Sequence, residues 1–254
     1  MAARALGNFG AGRLYGTRQD VSNQTPLEFA VLQNCDFDCS FTTKPLYGSN
    51  QFALFIPRGE AKMTLKAKSA VISGQLLSSI FWGISPTVGQ TALVAAESHS
   101  VPGSSTYTIT PTPPNAGTFA TDQGVAYASG GTPFELVASG PTQGQYSVSA
   151  GVYTFAAADA SAAVLISYTY TCSTPGQKIA ITNQELGPTP YFSGVFRGRD
   201  PRSGLFNTLI LNRMTSNKLA ISSKTSDWSI PEFDAEIMDD GAGNIGTMSF
   251  GDLS

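Results

Sequence analysis

The chain has 254 residues, and only 13% of them are charged, about half the usual share. A net charge of −3 gives no nucleic-acid or membrane signal, the absence of Lys and Arg between Lys68 and Lys178 keeps a phosphate-gripping groove out of that half, and a single histidine speaks against most Ser-His-Asp and Cys-His nucleophile schemes. No apolar stretch reaches transmembrane length, and Met1-Ala2-Ala3-Arg4-Ala5-Leu6-Gly7 lacks the apolar run of a signal peptide, so folding in the cytosol of the producing cell is expected.

Residues 1–26 read as a Gly-rich basic arm carrying Arg4, Arg13 and Arg18. Gly10-Ala11-Gly12 has neither the spacing nor the preceding strand of a nucleotide loop. Two readings stand for the arm: a loose terminus, or a segment that orders on a neighbouring subunit.

Leu27 to Phe41 reads as one long strand. Cys35 and Cys39 share a face with Val31, Phe37 and Phe41, while Asp36, Asp38 and Ser40 take the other. Two residues four apart on a strand are roughly 13 Å apart, too far for a disulfide, so both thiols are expected in the core. Thr42 to Phe55 follows as a loop with exposed-looking Leu46, Tyr47, Phe52 and Phe55.

Ala61 to Lys68 alternates, with Met63, Leu65 and Ala67 against Lys62, Thr64, Lys66 and Lys68. The period then becomes helical over 72–82, through Ile72, Leu76, Leu77, Ile80 and Phe81, with Ser73 as cap and Gly83 as stop. Residues 84–106 read as loop, placing His99 in solvent. Residues 107–171 are rich in strand patterns and contain no Lys or Arg. Within them Gly144-Gln145-Tyr146-Ser147-Val148, Gly151-Val152-Tyr153-Thr154-Phe155 and Val164 to Tyr170 alternate apolar and hydroxyl residues, the mark of strands with one buried face. The turns fall at Ser149-Ala150 and 156–163.

Further strands are expected at 177–182, 191–196, 206–213 and 218–222. Pro231 to Met238 mirrors the lysine strand, with Glu232, Asp234 and Glu236 on one face and Phe233, Ala235 and Ile237 on the other. Three like charges on one strand face are unfavourable alone and favourable against an opposite strand, in the same chain or a neighbouring one. Asp239-Asp240-Gly241-Ala242-Gly243-Asn244 lacks the ligand alternation of a calcium loop and reads as a polar turn. No metal, cofactor or catalytic residue is expected, although carboxylate-only chemistry is open by residue type.

The order Asn8-Phe9-Gly10-Ala11-Gly12-Arg13-Leu14-Tyr15-Gly16, Phe37-Asp38-Cys39-Ser40-Phe41-Thr42-Thr43-Lys44-Pro45-Leu46-Tyr47-Gly48, Gly144 to Ala160, Ile230-Pro231-Glu232-Phe233-Asp234 and Gly243-Asn244-Ile245-Gly246-Thr247 resembles the tail tube proteins of long-tailed bacteriophages. The Gly-Val-Tyr-Thr-Phe segment also resembles modules of other phage structural proteins.

The resemblance implies a mainly β fold, a sandwich or barrel-like core with one flanking helix. It implies a non-enzymatic virion protein that closes into rings, usually hexameric, which stack into a hollow tail tube assembled in the host cytoplasm. DNA would pass through the lumen without specific binding. Partners would be the chain itself, tape measure, tail terminator and distal tail or baseplate proteins, with no membrane and no cofactor. The domain plan expected is an arm (1–26), a discontinuous β-domain (27–106 and 172–254) and a β-rich insertion or second sheet (107–171).

Candidate subunit contacts are Arg4, Arg13 and Tyr15 on the arm, Leu46, Tyr47 and Phe52 in loop 42–58, and Lys62, Lys66, Lys68, Glu232, Asp234 and Glu236 on the two charged strands. Asp36 and Asp38 are candidate lumen residues. The alternatives are a capsid decoration or baseplate component, or a carbohydrate-binding sandwich using Trp82 or Trp228.

Overall fold

A computed structural model describes residues 10, 12–29, 31–71, 73–183, 185–187 and 189–251. In chain order the strands are β1 (Arg13–Arg18), β2 (Leu27–Glu28), β3 (Leu32–Thr43), β4 (Leu46–Tyr47), β5 (Ala53–Phe55) and β6 (Arg58–Ser69). Then come β7 (Thr87–Ser100), β8 (Thr108–Ile109), β9 (Thr118–Tyr127), β10 (Glu135–Leu136), β11 (Gln145–Ser149), β12 (Val152–Phe155) and β13 (Ala163–Lys178). The last are β14 (Phe192–Arg199), β15 (Phe206–Ala220), β16 (Glu232–Ile237) and β17 (Gly246–Phe250). The chain is mainly β, as expected, and it divides into two compact units: residues 1–86 with 179–254, and 87–178.

The first unit is built on an eight-stranded sheet in the order β2-β1-β14-β15-β16-β6-β3, with β17 added beside β15. Long β15 serves β14 on one side; on the other it pairs β17 through residues 207–211 and β16 through residues 214–220. Period-2 alternation places Leu14, Leu65, Ala67, Phe192, Leu211, Phe233 and Ala235 on one face, all buried. A single helical segment covers that face. Ser73 caps it, accepting from the Leu76 N–H at 3.3 Å. One α-turn (α1, Gly74–Leu76) leads into a wider π-helical stretch over Leu77–Trp82, and Gly83 ends it at φ 66°. Leu76 and Ile80 drive into the sheet core. Away from the helix the same face opens into a cleft of about 250 Å³ between Phe37, Leu65, Phe196, Leu209 and Met248.

The segment expected to be an arm is in part a structural strand. Leu14 is fully buried, and β1 pairs with β14 from Arg13 to Arg18. The alternation of Leu14 and Gly16 against Tyr15 and Thr17 is short and interrupted by glycine, which hides a strand from pattern reading.

The second unit carries a three-stranded sheet, β7-β13-β9, and a four-stranded sheet, β10-β11-β12-β8, around one core. Val164, Ile166, Tyr168, Tyr170 and Cys172 alternate inward along β13. The β11–β12 hairpin turns through Ala150 (φ 48°) and Gly151 (φ 83°), the two positive angles of a type I′ turn. This unit is wider than the base-free segment 107–171. It takes in β7, a 14-residue strand in a region expected to be loop, and its ends meet where Thr87 pairs with Lys178. Pro86 and Gly89 masked that strand, as did runs of small residues such as Ala95-Ala96.

His99 therefore lies on a strand, partly shielded, with Nε2 3.4 Å from Glu97 Oε1. The expected strand at 177–182 stops at Lys178, and those at 206–213 and 218–222 are one strand, β15.

Candidate assembly surfaces

The first surface is a ribbon. β3 pairs β6 from Leu32 to Thr43, whereas β16 reaches only residues 64–68 of β6. The outer halves of β3 and β6 thus run on as two strands beyond the sheet. Between them a small hairpin forms, with Leu46 opposite Phe55 and Tyr47 opposite Ala53. Loop 42–58 is thus a shaped tip. Leu46, Tyr47, Phe52, Leu54, Phe55 and Ile56 are each more than half exposed, Phe52 at 85%. Isolated exposed apolar residues are ordinary, but a clustered set marks an interaction site. Leu54 and Ile56 lie in the loop expected there but were not among its named contact residues.

The second surface is the charged face of β16, β6 and β3, opposite the core. Lys68, Lys66 and Thr64 pair with Glu232, Asp234 and Glu236. Lys68 Nζ is 2.7 Å from Glu232 Oε1 and Lys62 Nζ is 2.9 Å from Glu236 Oε1. Lys218 on β15 adds contacts of 3.6 Å to Glu232 and 3.9 Å to Asp234. Hydrogen bonding and attraction from Lys68 hold the Glu232 carboxyl below its ordinary value, and Lys62 does the same to Glu236. The two strands of opposite charge are therefore neighbours in one chain. Their complementarity fixes an internal register: of the two partners that the charge pattern left open, the same-chain one is found.

Asp36 and Asp38 are exposed on the same face of β3, an edge strand. Asp36 accepts from Asn34 Nδ2 at 2.7 Å. Their cross-strand partners are Lys66 and Thr64, so this face is of mixed charge rather than acidic.

The third surface was not read from the sequence, although the alternation Arg197-Gly198-Arg199 signals it. Arg13 on β1 and Arg197 on β14 are direct cross-strand partners. With Arg199, Gly12 and Phe206 they line an open cleft of about 390 Å³. The Arg197 guanidinium lies 3.4 Å from the centroid of Phe206, a cation–π contact that fixes its orientation. Arg13 Nη1 is 3.8 Å from Glu28 Oε1. Tyr15 is half-buried between Arg13 and Thr17, and Arg4 lies outside the described residues.

Among the described residues no group of three or more His, Cys, Asp or Glu side chains is placed to hold a metal ion. The three cysteines are free thiols. Cys35 packs against the core of the first unit, and burial, with Asp36 adding to it, pushes its thiol up to about 12. Trp82 is half-buried against Phe81, while Trp228 is exposed. The 239–244 segment is a polar turn, with Asp240 Oδ1 accepting from the N–H groups of Ala242 and Asn244.

In the second unit the sequence reading missed two structural carboxylates. Asp122 accepts from the hydroxyls of Tyr146 and Tyr153, and buried Asp159 accepts from Tyr127 at 2.6 Å and the Gly144 N–H at 3.0 Å. Tyr168 donates to Glu97 at 2.9 Å.

No protein-family model matches the chain, and a search of curated proteins finds no significant match.

Proposed function

We propose that this chain is a structural subunit that polymerises with copies of itself as stacked rings into a hollow tube, the tail tube of a long-tailed bacteriophage. The observation that carries the reading is the apolar tip on the β3–β6 ribbon. Burying one Phe or Leu side chain is worth roughly 1.5–3 kcal/mol, so seating a few of the six exposed tip residues on another protein suffices for a specific contact. A tip carried beyond its own sheet can reach such a partner without disturbing its own core. The order of the segments around Arg13, Phe37, Tyr146 and Phe233, which resembles tail tube proteins, supports the same reading, as does the mainly β architecture. In this role the ribbon bridges successive rings and the sheet forms the wall. Ring number, DNA passage and the tape measure, terminator and baseplate partners come with the family resemblance.

Negative-stain electron microscopy of the purified chain across a concentration series tests the proposal. Tubes of uniform width are expected. A chain that stays monomeric at every concentration, or one that forms only small closed particles, would overturn it and favour a decoration or baseplate role.

A further inference from the structure

Arg197 and Arg199 stand on the same face of β14, both exposed, and neither has an ion pair among the described residues. Arg13 faces Arg197 directly; Tyr15 and a 3.8 Å contact with Glu28 favour its charged form. Like charges placed opposite one another in a sheet are destabilising, and among the described residues the only carboxylate against the three arginines is Glu28. Asp36 and Asp38 present the reciprocal case. Both are exposed on one face of β3 and neither forms an ion pair among the described residues, Asp36 accepting from Asn34 and having Lys66 as its cross-strand neighbour.

The two sets match in geometry as well as sign. Each is an i, i+2 pair on one strand face, so each presents two like charges roughly 7 Å apart. They cannot satisfy one another in the same chain. β14 and β3 are separated by β15, β16 and β6, four strand steps or roughly 19 Å along the sheet. Both sets also point away from the core face, where Phe196 and Phe37 line a common cleft.

We infer that a second copy of this chain seats Asp36 and Asp38 of its β3 edge in the arginine cleft formed by Arg13, Arg197 and Arg199. This rests on the tube reading and deepens it, and it replaces the lumen position expected for the two aspartates. The contact joins two different patches, so it propagates head to tail and closes a ring when the rotation allows. The charges set partner orientation and register, while Phe206 holds Arg197 ready.

The test uses the full chain in four forms: wild type, Arg197→Glu with Arg199→Glu, Asp36→Lys with Asp38→Lys, and all four substitutions together. Sedimentation velocity and electron microscopy read assembly, and circular dichroism melting checks the fold. Each double variant is expected to raise the concentration needed for assembly by ~10-fold or more, because every contact then juxtaposes like charges. The quadruple variant restores assembly. So does an equimolar mixture of the two doubles, which alternate around the ring; this second readout stands if the quadruple variant folds poorly. Assembly of both doubles at wild-type concentration overturns the inference and leaves the tube reading intact. So does loss in the doubles that neither the quadruple nor the mixture repairs. A wild-type chain that never assembles overturns both.

Discussion

Lys68 Nζ sits 2.7 Å from Glu232 Oε1, and the two residues are cross-strand partners in β6 and β16. The contact ties segments more than 160 positions apart in the sequence into one register. Slipping that register by one residue would turn Lys66 and Lys68 toward the core and Leu65 and Ala67 toward water. Lys68→Glu and Glu232→Lys are each expected to lower the melting temperature, and the double reversal to recover most of the loss. The recovery should appear at low salt and fade at high salt, since both groups are exposed to screening.

The same pairs set an acid limb. Glu232 and Glu236 have folded-state values below their ordinary 4.5. Each therefore binds its proton more readily when unfolded, and the stability it contributes is present above about pH 4.5 and lost as pH falls through the folded value. Urea unfolding midpoints should drop over that range. In Glu232→Gln with Glu236→Gln the midpoint should start lower at neutral pH and fall less steeply.

Asp122 anchors the hydroxyls of Tyr146 and Tyr153. Asp122→Ala leaves two hydroxyls in or near the core without their acceptor, and ~2–6 kcal/mol of stability should go with it, at ~1–3 kcal/mol for each unsatisfied group. Tyr146→Phe or Tyr153→Phe alone should cost less, since Asp122 keeps one hydroxyl and the Gly124 N–H at 3.1 Å.

Alkaline titration reads the same network. Burial and the carboxylate partners raise all four phenols, Tyr127 and Tyr168 to about 12 and Tyr146 and Tyr153 further. The neutral phenol is the form the fold favours, so this stability is complete below pH 10 and is lost as pH rises above it. Ultraviolet titration should therefore show these four tyrosines staying protonated near pH 10 and ionising together with unfolding.

Ala150 and Gly151 both hold positive φ in the β11–β12 turn, and a Cβ on Gly151 would come within 3.0 Å of Phe119. A left-handed backbone costs a non-glycine residue roughly 1–2 kcal/mol. Ala150→Gly should thus stabilise by about 0.5–1 kcal/mol after its entropic cost, and Gly151→Ala should destabilise by ~1–3 kcal/mol. Denaturant melts of the two variants moving in the same direction would contradict this turn geometry.

What could be read from the sequence followed the strength of each local signal. The alternation of Met63, Leu65 and Ala67 with lysines placed β6, and that of Glu232, Asp234 and Glu236 with apolar residues placed β16. The charge pattern foretold their attraction, yet a strand pattern carries no information on whether its partner lies in the same chain. Ser73 and Gly83 marked the helix ends correctly, while hydrophobic spacing could not distinguish the π-helical stretch from an α-helix. Strand β7 went unseen because Ala92, Val94 and Ala96 give weak contrast with Thr91, Leu93 and Ala95. Asp122 and Asp159 looked like surface charge, since the tyrosines they hold lie 24–32 residues away. The tip around Phe52 was legible from its clustered aromatics; of the arginine cleft only the alternation Arg197-Gly198-Arg199 was, because Arg13 joins it only when β1 and β14 come together.

Phe52→Ser with Phe55→Ser tests the tip directly. Both side chains are largely exposed, so losing them should leave the melting temperature within about 1 °C, in keeping with surface substitutions that change stability by under ~0.5 kcal/mol. Assembly should fall sharply, because the apolar area meant for a partner is gone. Light scattering and electron microscopy measure the outcome. Tubes forming at the wild-type concentration would remove the tip from the assembly contact.

The second unit offers the largest cut. Its ends are neighbours, with Thr87 paired to Lys178, so the residues flanking 87–178 can be joined by a short Gly-Ser linker, the ends being only about 5 Å apart. Each unit has its own buried cluster, and neither cluster draws residues from the other unit. Deleting 87–178 should therefore leave the eight-stranded sheet folded, with Leu14, Leu65 and Phe233 still protected from hydrogen exchange at their backbone amides. The tip, the charged strands and the arginine cleft all lie in the first unit, so the shortened chain should still assemble. Loss of assembly with the sheet intact would put β7–β13 among the contacts that build the wall.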